Sequence, residues 1–269
     1  MTGKSHQPRL AFGVSAGLRP WLGELGVALV GLGYDELWSN DVPGASGLDT
    51  LAAAAEATNR LRLAVGVIAL SEASPDTIAE RVARSGLRAD RLTVGVGSGT
   101  GRSLEAMQSG ISALRGLLPG GHAIGLAALG PRMAELGGAV ADVVLLNWAG
   151  PRLATERRQL VEAGAAAAGR PVPRVAAYVR VAVGRGADER LASEQARYVG
   201  YGGSYRRVID AQVASGESVI GVVAEEPGGV GPALAGYRSV LDTVVIRGLP
   251  AEDTLEAWLD LARAATLRA

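Results

Sequence analysis

The sequence predicts an α/β fold of one domain, a (β/α)8 TIM barrel, and three observations predict it. Short β-rich runs alternate with longer segments of helical spacing from end to end, and the runs number eight. Several runs, such as ADVVLLN and DTVVIR, are continuously apolar rather than alternating, as suits parallel strands covered on both faces. The length of 269 residues is ordinary for one α/β barrel. An open doubly wound sheet is the alternative arrangement of the same elements.

The expected strands are Arg9–Ser15, Tyr34–Trp38, Arg62–Leu70, Leu92–Gly97, His122–Ala128, Asp142–Asn147, Arg174–Val183 and Asp242–Arg247. Between them the expected helical segments are Pro20–Leu32, Leu48–Asn59, Pro75–Leu87, Ser103–Leu117, Pro131–Gly138, Pro151–Ala168, a long stretch from Asp188 to Tyr237, and Glu252–Leu267. Several open on proline, whose fixed φ suits a first helical turn. Residues 1–8 read as a short tail and 9–269 as the barrel. Within the long stretch, RYVGYGGSYRRVI holds three of the six tyrosines and an adjacent pair of glycines. It reads either as a lid or oligomer surface or as ordinary packed helices joined by an irregular turn.

Composition narrows the chemistry. Cysteine is absent, which excludes disulfides, thiolate metal ligands and a cysteine nucleophile. The formal net charge is zero and no basic run occurs, so nucleic acid is not an expected partner. No apolar run approaches the roughly 18 residues of a membrane span. The N-terminal MTGKSHQPRL lacks a signal-like apolar region, and the expected compartment is the cytoplasm. The only lysine is Lys4, and the only histidines are His6 and His122. Two of these sit in the tail, and His122 opens a strand, at the barrel end away from the chemistry. Schiff-base lysine chemistry, a Ser-His-Asp triad and a histidine metal site therefore lack their central residues, and no metal is expected.

In a barrel the chemistry sits at the C-terminal strand ends. These are Ser15–Gly17, Ser39–Asp41, Ile68–Leu70, Gly97–Gly101, Ala128–Arg132, Asn147–Trp148, Arg180 and Arg247. Asp41 is the obvious carboxylate among them and the candidate catalytic residue, though NDVPG also suits a turn that an aspartate would cap. Ser39, Asn40, Asn147 and Trp148 are candidates for the substrate pocket, with core capping the commoner role for a strand-end tryptophan. GVGSGTG, from Gly95 to Gly101, places glycines where amides can approach a phosphate or ring, or merely makes a tight turn. AALGPRM, from Ala127 to Met133, combines free amides, a helix N-terminus and Arg132, an arrangement suited to an anion. Equally, Gly130 and Pro131 only shape the turn and Arg132 faces solvent.

Taken together, GYDELWSND, LAVGVIALSEASPDTIA, DRLTVGVGSG, AALGPRMAELGGAVADVVLLNW and YRSVLDTVVIRGLPAEDTLE resemble the bacterial luciferase-like monooxygenase family, in particular its branch of coenzyme F420-dependent oxidoreductases. The resemblance implies a luciferase-like barrel and a flavin-like cofactor. It places the ring against Gly66, Val67 and Ile68, where family members often have a bulge with a non-proline cis peptide. It places the phosphate tail against Gly97, Ser98 and Gly99 and against the Ala128, Leu129, Gly130 and Pro131 turn, with Arg132 as countercharge. Asp41 corresponds to the acidic member of a frequent Asp-His pair, but the next residue here is Val42, which removes the natural proton donor.

The expected function is hydride transfer between coenzyme F420 and a small organic substrate, with the protein supplying orientation and electrostatics. The alternatives are an FMN-dependent monooxygenase, which would need a partner reductase, and a non-catalytic flavin-binding or structural barrel. The resemblance also implies a homodimer.

Overall fold

A computed structural model describes residues 8–101, 103–217 and 219–266; the expected tail and Leu267, the last residue of the expected final helix, lie outside them, Pro8 excepted. The first half of the chain runs β1 (Arg9–Ser15), α1 (Leu22–Gly31), β2 (Glu36–Asn40), α2 (Gly47–Ala55), β3 (Arg62–Ala69), α3 (Pro75–Arg84), β4 (Leu92–Gly97), α4 (Leu104–Leu117) and β5 (Ala123–Ala127). The second half runs α5 (Pro131–Val140), β6 (Val143–Asn147), α6 (Pro151–Ala167), β7 (Arg174–Val183), α7 (Ala187–Gly200), α8 (Gly203–Ala214), β8 (Val222–Ala224), α9 (Val230–Ala233), α10 (Ala235–Val240), β9 (Thr243–Gly248) and α11 (Leu255–Thr266).

Strands β1 to β7 and β9 are all parallel and close on themselves through the β6–β7 and β7–β9 pairs, which makes an eight-stranded barrel. The open-sheet alternative is excluded. The ninth strand, β8, was not expected. It pairs only with Val181–Val183 at the end of β7, and three residues inside a stretch of helical spacing carry too little pattern to read.

Both faces of each barrel strand are buried, which accounts for the continuous apolar runs. Inward side chains Ala11, Trp38, Ala64, Leu145, Tyr178 and Val245 form the lumen cluster, while Phe12, Leu37, Val65, Val94 and Val144 pack under the helices. At the N-terminal end the lumen is closed by Glu36, which is 1% exposed. Arg9 and Arg174 donate to its Oε1 at 3.0 and 2.7 Å, and Trp38 Nε1 donates to its Oε2 at 2.9 Å.

Helix starts follow two patterns. Ser46, Ser74 and Ser103 cap α2, α3 and α4 by accepting from the amides of Asp49, Thr77 and Ala106. By contrast, α5 and α6 begin on Gly130-Pro131 and Gly150-Pro151 with no side-chain cap. These two helices touch closely because glycines face each other. A Cβ on Gly138 would stand 2.0 Å from the Val161 carbonyl oxygen, and one on Gly164 would stand 1.9 Å from that of Glu135. Gly202 and Gly203, with φ of 71° and 51°, make the left-handed turn between α7 and α8. Among the described residues no helix is long and apolar enough to cross a membrane.

Candidate functional site

Around β3 and β4 the mouth of the barrel is shaped by a bulge. The β3–β4 register shifts between Val65 and Ile68, and the Gly66–Val67 peptide is cis. Tyr178 donates its hydroxyl to the Gly66 carbonyl at 2.9 Å from across the lumen, and burial raises its pKa. Val67, partly exposed, lies over Gly97, where an added Cβ would stand 2.8 Å from Val67 Cγ2. A Cβ on Gly95 would stand 2.3 Å from the Val65 carbonyl. Gly99 has φ +58°, and a Cβ there would collide with Ser71 Oγ, which accepts from the Thr100 amide at 3.2 Å. These glycines of GVGSGTG are thus required by the bulge and its turn, whatever approaches Gly97, Ser98 and Gly99 from solvent.

The β5 turn is different. Gly130 has an ordinary φ of −92°, and an added Cβ would meet nothing within 4 Å. Glycine there is not demanded by backbone or packing. Arg132 in the first turn of α5 is exposed and forms no hydrogen bond or ion pair among the described residues. Arg157 of α6, half-buried, donates to the Leu129 carbonyl at 3.3 Å, and burial lowers its pKa. Ala128 is buried beneath the turn, and its amide donates to the Leu145 carbonyl at 2.9 Å.

On the β2 side, alternation along the strand separates the candidates. Trp38 and Asn40 share the inward face, whereas Ser39 is fully buried between them on the opposite face. Asp41 is engaged at both oxygens: Gly47 N donates to Oδ1 at 2.8 Å, and Arg81 Nη2 stands 2.7 Å from Oδ2. With Val42 and Ala45 exchanging backbone hydrogen bonds, Asp41 braces the NDVPG turn against α2 and α3.

The β6–β7 side is covered. Trp148, in a left-handed conformation with φ 52°, is 1% exposed and packs with Leu191, Ile209 and Ile220. Tyr198 stacks edge-on to Trp148 at 5.3 Å and to Tyr205 at 4.9 Å. The tyrosine-rich segment is therefore packed helix over these strand ends. Asn147 donates to the Tyr205 hydroxyl at 3.4 Å, and burial raises the Tyr205 pKa, with the neighbouring Tyr198 adding to it. Gln212 of α8 holds the turn after β6, as its Oε1 accepts from Gly150 N at 2.8 Å and its Nε2 donates to the Trp148 carbonyl at 2.7 Å.

Two arginines stand abreast in the β7–β9 register, Arg180 and Arg247, only 2% and 6% exposed. Arg180 Nη1 donates to Asn147 Oδ1, and its guanidinium lies 4.1 Å from the Trp148 ring and 4.9 Å from the Tyr198 ring. Burial lowers its pKa, partly opposed by Tyr198 and reinforced by the charge of Arg247. Arg247 Nη2 donates to Ser15 Oγ at 2.8 Å, while its Nη1 has no partner. A cavity of about 560 Å3 opens beside Arg247 at the ends of β1 and β9, bordered by Ser15, Arg19, Glu194, Arg197 and Asp253. Both arginines are strand-end residues in the sequence, but their proximity is not readable there. Arg157 and Gln212 left no local signal, since each is an ordinary residue of a helix, whereas Tyr205 lies in the tyrosine-rich segment without any sign of its contact with Asn147.

The described residues contain no group of histidines and carboxylates placed to hold a metal ion. What the mouth offers is a bulged strand edge, an uncapped helix start flanked by arginine, and buried cationic and phenolic groups.

Residues 115–227 match the model of the family described as luciferase-like monooxygenase. A search of curated proteins finds no match. Among solved structures, an F420-dependent secondary alcohol dehydrogenase in complex with an F420–acetone adduct superposes with a TM-score of 0.76 at 14% identity, over 98% of this chain and 100% of that one. A coenzyme F420-dependent tetrahydromethanopterin reductase from Methanopyrus kandleri gives 0.67 at 16% identity, over 96% and 97%. An EDTA monooxygenase from Chelativorans sp. BNC1 gives 0.70 at 12% identity, over 97% and 93%. At these identities the likeness is one of fold. The resemblance to the luciferase-like family read from the sequence is borne out, and the barrel is luciferase-like.

Proposed function

From a luciferase-like barrel as the premise, we propose that this chain is an oxidoreductase that binds coenzyme F420 at the mouth and passes a hydride between it and a small organic substrate. The observation that carries the reading is Gly130. It starts an uncapped helix, it is not required by the fold, and it stands beside the unpaired Arg132. Three other helices of this barrel use serine at the equivalent position, so a free helix start here suits a phosphate group better than it suits stability. The residues present fit the cofactor.

In this reading Gly130, Pro131 and Arg132, with Arg157 behind them, hold the phosphate tail through amides and fixed positive charge. Gly97, Ser98 and Gly99 line its path, and Val67, between Gly66 and Ile68 on the β3 bulge, backs the ring. The bound deazaflavin supplies the hydride chemistry. The packed Trp148, Tyr198 and Tyr205 exclude water from the β6–β7 side. Tyr205, a phenol protonated at neutral pH as any tyrosine is, holds a proton next to Asn147. Asn40 and Asn147 face the substrate, whereas Asp41 braces the turn after β2.

The test is a titration of the purified protein with coenzyme F420 and, separately, FMN by fluorescence and calorimetry, with Arg132→Ala and Gly130→Val alongside. Preference for F420, weakened by both variants, is the expected result. Preference for FMN moves the chain to the monooxygenases, and binding of neither overturns the proposal.

A further inference from the structure

Of the arginines lining or adjoining the cavity beside β1 and β9, Arg19, Arg190 and Arg197 are engaged, whereas Arg180 and Arg247 each leave a buried nitrogen, Nε and Nη1 respectively, without a partner. Arg19 pairs with Asp253 at 2.8 Å, and Arg197 forms a two-pronged bond with Glu194 at 2.8 and 2.9 Å. Arg190 donates to the carbonyls of Val183, Arg185 and Leu249. Arg180, just inside, is stacked between Trp148 and Tyr198 and bonded to Asn147. Arg247 has only the Ser15 hydroxyl and the Tyr178 ring, the latter at 5.9 Å. It is nine-tenths buried, its Nη1 is unpartnered, and it forms no ion pair among the described residues.

A buried charge without a countercharge is costly to hold, and a second guanidinium in the adjacent strand position makes it costlier. The two exposed carboxylates at the rim, Glu189 and Glu252, pair with no cation among the described residues and are screened by solvent. Barrel geometry adds a directional argument, since the loops after the last two strands of a barrel are frequent anion sites.

We propose that Arg247, flanked by Ser15 and backed by Arg180, is the recognition site for an anionic group, a carboxylate or phosphate, on the small-molecule substrate. The word substrate rests on the oxidoreductase reading, whereas the anion site stands on this geometry alone. The planar guanidinium offers two parallel N–H groups to such an oxyanion, and the Ser15 hydroxyl adds a third donor. The site lies across the mouth from Gly130 and Arg132, so it is separate from the place assigned to the cofactor's phosphate.

The experiment titrates the cofactor-free protein with succinate and with inorganic phosphate by calorimetry, comparing wild type, Arg247→Gln, Ser15→Ala and Arg132→Ala. The expected result is saturable binding that weakens at least about tenfold in Arg247→Gln, as for loss of one charge-assisted bond. Ser15→Ala weakens it less, and Arg132→Ala leaves succinate binding unchanged. The thermal midpoint of Arg247→Gln is expected to equal or exceed that of wild type, because an uncompensated buried charge is removed. Succinate against phosphate identifies which oxyanion is preferred. No saturable binding of either anion, succinate binding that survives in Arg247→Gln, or a large fall in its midpoint overturns the proposal. Failure of the F420 titration leaves this result standing, so the two readings fail separately.

Discussion

Gln212 donates from Nε2 to the carbonyl of Trp148 at 2.7 Å, and through that single bond α8 holds a left-handed tryptophan at the end of β6. The same side chain accepts from Gly150 N, so both ends of the turn depend on one amide. Gln212→Leu leaves two buried backbone groups unpaired. It is expected to destabilise the chain by about 2–6 kcal/mol, at about 1–3 kcal/mol per unsatisfied group. Urea unfolding checks the loss, and tryptophan fluorescence checks the release of Trp148.

Gly130→Ser inserts a good helix cap where the fold has open space. Stability is expected to stay level or rise by a few tenths of a kcal/mol, roughly the usual difference between serine and glycine at a cap. F420 binding is expected to weaken, because the hydroxyl takes the amides assigned to phosphate. Thermal melting and fluorescence titration on the same sample read the two effects in opposite directions.

Gly164→Ala places a methyl group against the Glu135 carbonyl and forces α5 from α6. Overpacking of this kind costs about 1–3 kcal/mol. Since α5 carries Gly130 and Arg132 at its start, F420 affinity is expected to fall along with the denaturation midpoint, which distinguishes this variant from Gly130→Ser.

Glu36→Gln removes the anion that Arg9 and Arg174 share at the closed end of the lumen. The partners are partly exposed, so the expected loss is about 2–3 kcal/mol, at or below the low end for breaking a buried pair. Because Glu36 lies at the opposite end from Arg247, succinate affinity of the folded protein should not change.

Asp253 supplies a pH-dependent contribution. Burial alone would raise its pKa, but hydrogen bonds from Arg19 and Trp258 outweigh it and hold the carboxyl below the ordinary 3.8. A folded-state pKa below the unfolded value means the link is fully present above about pH 4 and lost as pH falls through the folded value. Acid unfolding of Arg19→Met is expected to show less of this component, since only the Trp258 bond remains, and the change is small because Asp253 is largely exposed.

How much was legible follows from the kind of signal each feature leaves. The barrel strands and the helices between them are marked by continuous apolar runs and by prolines such as Pro131, all local signals, so the sequence by itself determined the alternating parallel α/β elements, and the resemblance to the luciferase-like family implied the bulge near Gly66, while closure of the sheet was left to the tertiary structure. Composition also excluded cysteine, lysine and paired-histidine chemistry. Three further matters needed tertiary structure. Asp41 and Ser39 sit at a strand end in the sequence, yet Arg81 takes up one and the outward face buries the other. Glycine in GVGSGTG and in ALGPR looks alike as text, but an added Cβ collides at Gly97 and Gly99 and meets nothing at Gly130. Arg180 and Arg247 lie on different strands, far apart along the chain. Only barrel closure, which pairs β7 with β9, brings these two charges into one buried register, because their proximity is a property of strand pairing and not of either residue's neighbours along the chain.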